Sequence, residues 1–311
     1  MPRQPRIEYE GAIYHVMNRG AHGEAIVRED ADRELWIKTL AEACGKCQWR
    51  VNAYCLMSDH FHLVVETPLG NLVSGMKWFL GTYTVRFHAR HRLRGHLFAG
   101  RYKSVVVDDS DDSYLRVACD YVHLNPARAG LLSAKQPLSD YAWSSYRDYL
   151  QRGLARPRWL RTDRLLGEQG VRRDDRRLRL EFSRRMEARR LEVDQARASD
   201  DLLPRGWRLG GEAFSARLLD RLGGKLTENH RAREPADTAE MKGERIIRSR
   251  LEEIGWSETD LQERGKCALE KIRIAQQLRA ETTLSLKRVA ERLNMGTWTN
   301  VSSLLYKVRK P

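Results

Sequence analysis

Residues 49–66, WRVNAYCLMSDHFHLVVE, decide the fold. Two β-rich runs are separated only by Ser58 and Asp59, the length and composition of a tight turn, which predicts an antiparallel hairpin. Upstream, AIYHVMN (12–18) reads as a strand, and Leu35, Leu40 and Ala43 recur at helical spacing over 31–45, ending at Gly45. Downstream, a helix is expected from Leu72 to about Ala89, then a basic, glycine-containing loop, a fourth strand over Lys103–Val107, and a helix from Asp112 to about Leu124. Strand, helix, strand, strand, helix, strand is the ferredoxin-like order. It predicts an α+β domain with a four-stranded antiparallel sheet, helices on one face, and the 112–124 helix as an addition. That superfold hosts many activities, so function has to be read from side chains.

In HFHLVVE, alternation by two puts His60 and His62 on one face and Phe61 on the other. Two imidazoles one strand repeat apart can share a cation; the plain alternative is a pair decorating a solvent face. The apolar run Leu63, Val64, Val65 sets the pair over a folded sheet rather than in a tail. In SYLRVACDYVHLN (113–125), Leu115, Ala118, Cys119 and Val122 pack inward, while Tyr121 and Asn125 are neighbours one turn apart. Pro126 disfavours helical dihedrals at the residue before it, which predicts Asn125 at the helix end. Tyr114 shares roughly the same helix face and competes with Tyr121 as a nucleophile. His15 either approaches the histidine face or is a satisfied strand residue; His22 and His123 have no assigned role.

YHVMNRG (14–20), YCLMSDHFHLVVETP (54–68), GRYKSVV (100–106) and YVHLNPARAG (121–130) resemble the single-tyrosine HUH transposases, in particular the REP-associated tyrosine transposase branch, over about residues 7–150. The resemblance implies cleavage of single-stranded DNA near hairpins, leaving a 5′-phosphotyrosine and a free 3′-hydroxyl. It implies Tyr121 as nucleophile, and His60 and His62 as ligands of a divalent metal, with Asn125 at the place of a polar third ligand. A neutral nitrogen and oxygen set of this kind takes Mg2+ weakly and Mn2+ better, and zinc would also bind by affinity order. A free phenol, with a pKa of about 10, needs an activated target to attack a phosphodiester at neutral pH. The same resemblance favours Arg19, Arg101 and Lys103 as phosphate contacts, each of which is otherwise an ordinary surface charge. It leaves open a homodimer in which one chain's tyrosine serves the other's metal.

Charge agrees with a polyanionic partner: 56 basic against 42 acidic side chains give a net +14 over 311 residues. No apolar run of about 18 residues argues for a membrane span, and no basic-then-apolar leader is evident, so a soluble, cytoplasmic and nucleoid-associated protein is expected. Five scattered cysteines do not make a disulfide framework, and the Cys44/Cys47 pair has no second pair at metal-finger spacing.

The expected organisation is a catalytic domain over 1–152, a basic helical connector over 153–260, and a helix-turn-helix module over 261–311. Residues 171–190 carry nine arginines and four acids and read as a solvated helix. Over 268–308 three apolar stripes follow one another: Ala268, Ile272, Ala275; Leu286, Val289, Ala290, Leu293; and Val301, Leu304, Leu305, Val308. Ser285 is placed to cap the second helix, and Asn294-Met295-Gly296 to turn into the third. That third helix would present Trp298, Asn300, Ser302, Ser303, Tyr306 and Lys307 to a major groove or hairpin stem. Three alternatives to a strand transferase stand beside it. One is a regulator that binds DNA through the C-terminal helices. Another is an RNA-binding module, although the third strand offers histidines where stacking aromatics would be needed. The last is a hydrolytic nuclease, which would leave no protein-linked product.

Overall fold

The hairpin forms between β2 (Arg50–Leu56) and β3 (His60–Thr67), with the Met57 N–H donating to the His60 carbonyl at 2.8 Å. β1 (Ala12–Arg19) pairs antiparallel with β3 on one side and with β4 (Lys103–Val107) on the other. The four expected strands thus run β2-β3-β1-β4, and a two-residue β5 (Arg208–Leu209) extends them to five by joining β4 in parallel. The structure, a computed structural model, describes residues 7–110, 112–133, 135–167, 175–195, 208–218 and 236–309. Of the arginine-rich stretch, residues 171–174 lie outside the described residues.

Helices α1 (Asp30–Cys47) and α2 (Leu72–His91) cover the Phe61 face, where Trp36 and Phe79 close on Phe61 at ring separations of 5.3 and 6.1 Å. α3 (Asp112–Arg128) covers the opposite face. The sheet is therefore sandwiched, not covered on one face as expected. α1 runs through Gly45 and stops at Gln48, which takes the left-handed φ of 56°. A glycine inside a helix costs only about 1 kcal/mol relative to alanine, less than the burial of Cys44 and Cys47 on either side of it contributes. Likewise α3 passes Pro126 and ends at Arg128, so Asn125 lies inside the helix instead of terminating it. Pro126 is buried with Leu124 and Ala127, and that packing outweighs the local preference of a residue before proline.

Behind α3 stand α4 (Tyr146–Leu150), α5 (Asp163–Gly167), α6 (Arg176–Gln195) and α7 (residues 212–218). α6 is not a solvated helix. Leu178, Phe182 and Met186 form a narrow buried stripe at intervals of four, and Phe182 stacks on Tyr149 at 5.0 Å. The arginines leave that stripe uncovered, and two of them, Arg185 and Arg189, pair with the buried carboxylate of Asp120 on α3. Leu160, Leu165, Leu166, Leu209, Phe214 and Leu218 join the same core, so much of the stretch read as a connector packs on the sheet domain.

A second core gathers α8 (Ala236–Ile254), α9 (Glu258–Glu263), α10 (Leu269–Glu281), α11 (Leu286–Arg292) and α12 (Trp298–Arg309). The Ser285 hydroxyl caps α11 by accepting from the Arg288 N–H at 3.2 Å, and Asn294 and Gly296 both take positive φ, 49° and 82°, in the turn to α12. Ile272, Ala275, Val289, Ala290, Leu293 and Val301 are buried as their stripes require, whereas Val308, read as inward, is exposed. It sits in the last turn of α12, beyond the reach of the other helices. The two cores meet where Lys46 of α1 donates to the carbonyls of Arg279 and Ala280 at 2.6 and 2.8 Å, at the negative end of the α10 dipole. No helix among the described residues is long and apolar enough to cross a membrane.

Replacing Phe182 by alanine is expected to destabilise the sheet domain by about 3–5 kcal/mol in denaturant unfolding, as for other fully buried phenylalanines; a solvated α6 would show almost no change.

Candidate active site

The β1/β3 register sets Arg19 opposite His60, Met17 opposite His62, and His15 opposite Val64. Directly paired residues of antiparallel strands share a face, so His15, Met17, Arg19, His60 and His62 all point toward α3. His60 and His62 lie 5.1 Å apart at right angles. Phe61, between them, is anchored on the other side of the sheet, which fixes both imidazoles outward from the α1/α2 core.

Each histidine has one nitrogen engaged. His60 Nδ1 is 2.6 Å from Asp59 Oδ1, and Asp59 is in turn held by Arg19 Nε at 3.2 Å. His62 Nδ1 is 3.0 Å from His15 Nε2, the two rings stacked at 5.2 Å and both buried. Burial pushes His15 down to a pKa of about 4; burial first, then the neighbouring His15 and His60, pushes His62 well below the ordinary imidazole value. Both rings are neutral at pH 7, so one N–H and one lone pair form the bond. Among the described residues nothing else bonds to the histidine pair, which leaves Nε2 of His60 and of His62 as donors. Metal-binding histidines commonly have their second nitrogen fixed in this way. The donor set thus fits a divalent cation.

Tyr121 comes to the same place. Its ring meets His62 edge-on at 5.6 Å and His15 at 5.7 Å, within one chain. Tyr114, the competing tyrosine, points away: its hydroxyl lies beside Gly211, where a Cβ would be 3.5 Å from it. Asn125 is buried one turn after Tyr121 and donates its Nδ2 to the Tyr121 carbonyl at 3.0 Å. Its Oδ1 is the atom left to face a cation; among the described residues no hydrogen bond joins it to either histidine. His123, on the inner side of α3, is wholly buried with Nε2 2.9 Å from Ser145 Oγ, and burial lowers its pKa to about 3. It belongs to the core.

The expected DNA contacts are spread more widely. Arg19 is 58% exposed although paired with Asp59, and Arg101 and Lys103 are exposed, with Lys103 in the same cross-strand row as Met17 and His62. Trp298, Ser303 and Lys307 are exposed on α12, Trp298 by 54%. Asn300 turns back to the Met295 carbonyl at 2.8 Å and serves as a local brace. The glycine of the NRG segment has a reason visible here: a Cβ on Gly20 would come 1.9 Å from the Glu24 carbonyl oxygen.

Two features escaped the sequence reading. Arg128 places its guanidinium 4.8 Å from the centre of the Tyr121 ring. Its spacing of seven from Tyr121 would have signalled a shared helix face, had α3 not been expected to end at Leu124. A second grouping, Glu29, Asp32 and His91, brings three potential ligand atoms within 4.8 Å of one another. Asp32 there already accepts from the Arg28 and Glu29 N–H groups at 3.0 and 3.2 Å, from Arg90 Nε at 3.0 Å, and meets His91 at 2.9 Å. Arg90 also pairs with Glu29, so a guanidinium holds the place a cation would take.

Comparison with known proteins agrees with this geometry. Residues 8–125, which include the histidine strand, Tyr121 and Asn125, match the family described as IS200-like transposases. Residues 8–125 are thus similar to the IS200-like transposases, the family to which their motifs pointed. A solved structure of a REP-associated tyrosine transposase bound to a REP hairpin aligns with a TM-score of 0.41 and 16% identity, covering 51% of this chain and 91% of that one; a likeness of that size carries no argument about activity. No curated protein matches the chain.

If His15 orients His62, His15→Leu is expected to weaken Mn2+ binding about ten- to a hundredfold, measured by electron paramagnetic resonance titration, while His15→Gln retains part of it. Equal affinity in all three proteins would leave His15 as packing alone.

Proposed function

We propose that the protein is a metal-dependent tyrosine transposase that cleaves and rejoins single-stranded DNA at hairpin-associated sites. The observation that carries this reading is the meeting of Tyr121 with the His60/His62 pair on one face of the sheet, in a segment matching the IS200-like transposases. His60, His62 and Asn125 would hold a divalent ion, Mg2+ or Mn2+. When bound, such an ion withdraws charge from the non-bridging phosphate oxygens and makes the phosphorus attackable.

The chain's own residues do the rest. Tyr121 supplies the phenol oxygen that becomes bonded to phosphorus as the 3′ oxygen of the DNA leaves, giving a 5′-phosphotyrosine and a 3′-hydroxyl. The phosphotyrosine retains the energy of the broken bond, so a second 3′-hydroxyl can displace Tyr121 without a nucleotide cofactor. Asp59 and His15 keep the two imidazoles turned for this task, and Arg19 steadies Asp59. Arg101 and Lys103, both exposed, would grip a backbone phosphate without reading sequence. The helix-turn-helix reading of α10 to α12 adds a module in which Trp298, Ser303 and Lys307 meet duplex or hairpin DNA.

Full-length protein incubated with Mn2+ and 3′-labelled, hairpin-flanked single strands is expected to yield a covalent adduct stable to denaturant, and Tyr121→Phe none. No adduct from the native protein, or equal adduct from Tyr121→Phe, would overturn the reading. Loss of cleavage in every form with hairpin binding intact after His60 and His62 are replaced would favour a DNA-binding regulator. For the C-terminal module, the double change Trp298→Ala and Lys307→Ala is expected to weaken hairpin binding about tenfold or more and to flatten its salt dependence, read by fluorescence anisotropy, while cleavage at saturating DNA is kept.

A further inference from the structure

Arg128 stands out among the arginines near α3 because no acid answers it. Arg19 pairs with Asp59, Arg164 with Asp112, and Arg185 and Arg189 with Asp120. Arg128 has no carboxylate partner among the described residues. It is half-buried, and the contact that holds it is the face of the Tyr121 ring, 4.8 Å from its guanidinium carbon. Its charge reaches the histidine site as well, being among those that disfavour a proton on His62.

Packing alone offers a plain account, since a cation over an aromatic face contributes about 0.5–2 kcal/mol. That account leaves the five N–H donors of a half-buried guanidinium beside the site with no carboxylate to bond among the described residues, and with solvent in the place of a protein acceptor. A guanidinium is a rigid fork whose spacing matches two oxygens of a phosphate, so an arginine with its donors free and its ring contact fixed is prepared for an anion that arrives with the substrate.

We propose that Arg128 is a catalytic residue of this site and binds the phosphoryl group as it passes to Tyr121. This rests on the strand-transfer reading above. The phenol oxygen lies at the rim of the ring that Arg128 covers, so a phosphate being joined to that oxygen falls within the reach of the guanidinium. As the Tyr121 oxygen bonds to phosphorus and the bond to the 3′ oxygen breaks, the phenol proton is lost to solvent and the departing 3′ oxygen takes one up. Arg128 stays protonated throughout, donating to the non-bridging oxygens as charge develops on them. It also remains bonded to the phosphotyrosine, whose negative charge it offsets until the second strand arrives.

The test uses the full chain, Mn2+ and the 3′-labelled hairpin-flanked single strands, with adduct formation followed in a single turnover. Arg128→Ala is expected to slow adduct formation by about a hundredfold or more, as loss of a preorganised donor to a developing anion does, with the DNA Kd changed by less than about threefold. Thermal unfolding reports whether the variant is folded. Arg128→Lys, which keeps the charge and loses the fork, is expected to fall between, and millimolar guanidinium added to Arg128→Ala is expected to restore part of the rate. A folded Arg128→Ala that forms adduct at the native rate would overturn this assignment while leaving the transposase reading in place. A slowed variant that neither lysine nor guanidinium improves would reduce Arg128 to a packing residue. Failure of the native protein to form any adduct would remove both.

Discussion

Were β3 to slip by one residue against β1, Phe61 would face α3, and both imidazoles would enter the apolar layer beneath α1 and α2. The register of that one strand is the constraint on which the site depends. It is held from both sides, by β1 over the whole of His60–Thr67 and by β2 across the two-residue turn. Phe61 is the lock, because its ring fills a slot between Trp36 and Phe79 that an imidazole could occupy only with unbonded nitrogens. A hydrophobic contact on one face therefore determines what chemistry is available on the other.

The opposite face has its own constraint, which is charge. α3 carries Asp120 inward and Tyr121 toward the histidines from adjacent positions. Burial pushes the Asp120 carboxyl upward, against the pull of Arg185 and Arg189, which favour its ionised form. This explains why a helix dominated by arginine packs so closely: two of its charges are consumed by a buried acid, and its apolar stripe of Leu178, Phe182 and Met186 closes the space around them. α3 is thereby clamped between sheet and α6, which limits how far the Tyr121 backbone can move.

What the sequence revealed follows from which interactions are local. Period-two alternation separated His60 and His62 from Phe61, and the Ser58-Asp59 turn fixed the hairpin, because both depend on neighbours in the chain. The Ser285 cap was legible for the same reason. The His15 bond to His62 spans 47 positions, and the pairing of Asp120 with α6 spans more than 60, so no local pattern announces either. The layer on the α3 side was missed because the stripe of α6 is narrow and its arginines dominate composition. Arg128 was missed because the preference of a residue before proline was given more weight than the burial of Pro126 itself. The second metal-like grouping has the opposite lesson: Asp32 is a helix-start residue whose oxygens are taken by backbone and arginine.

The histidine on the inner side of α3 has one more implication. His123 is neutral in the folded chain, with a pKa of about 3, while in the unfolded chain it would hold a proton below the ordinary imidazole value of about 6.5. The unfolded state thus binds the extra proton between those limits. Stability at this point is complete above about pH 6.5 and is lost progressively as the pH falls toward 3. Souring of the medium therefore acts also on the back of the helix that carries Tyr121, loosening its footing from the side turned away from the His60/His62 pair.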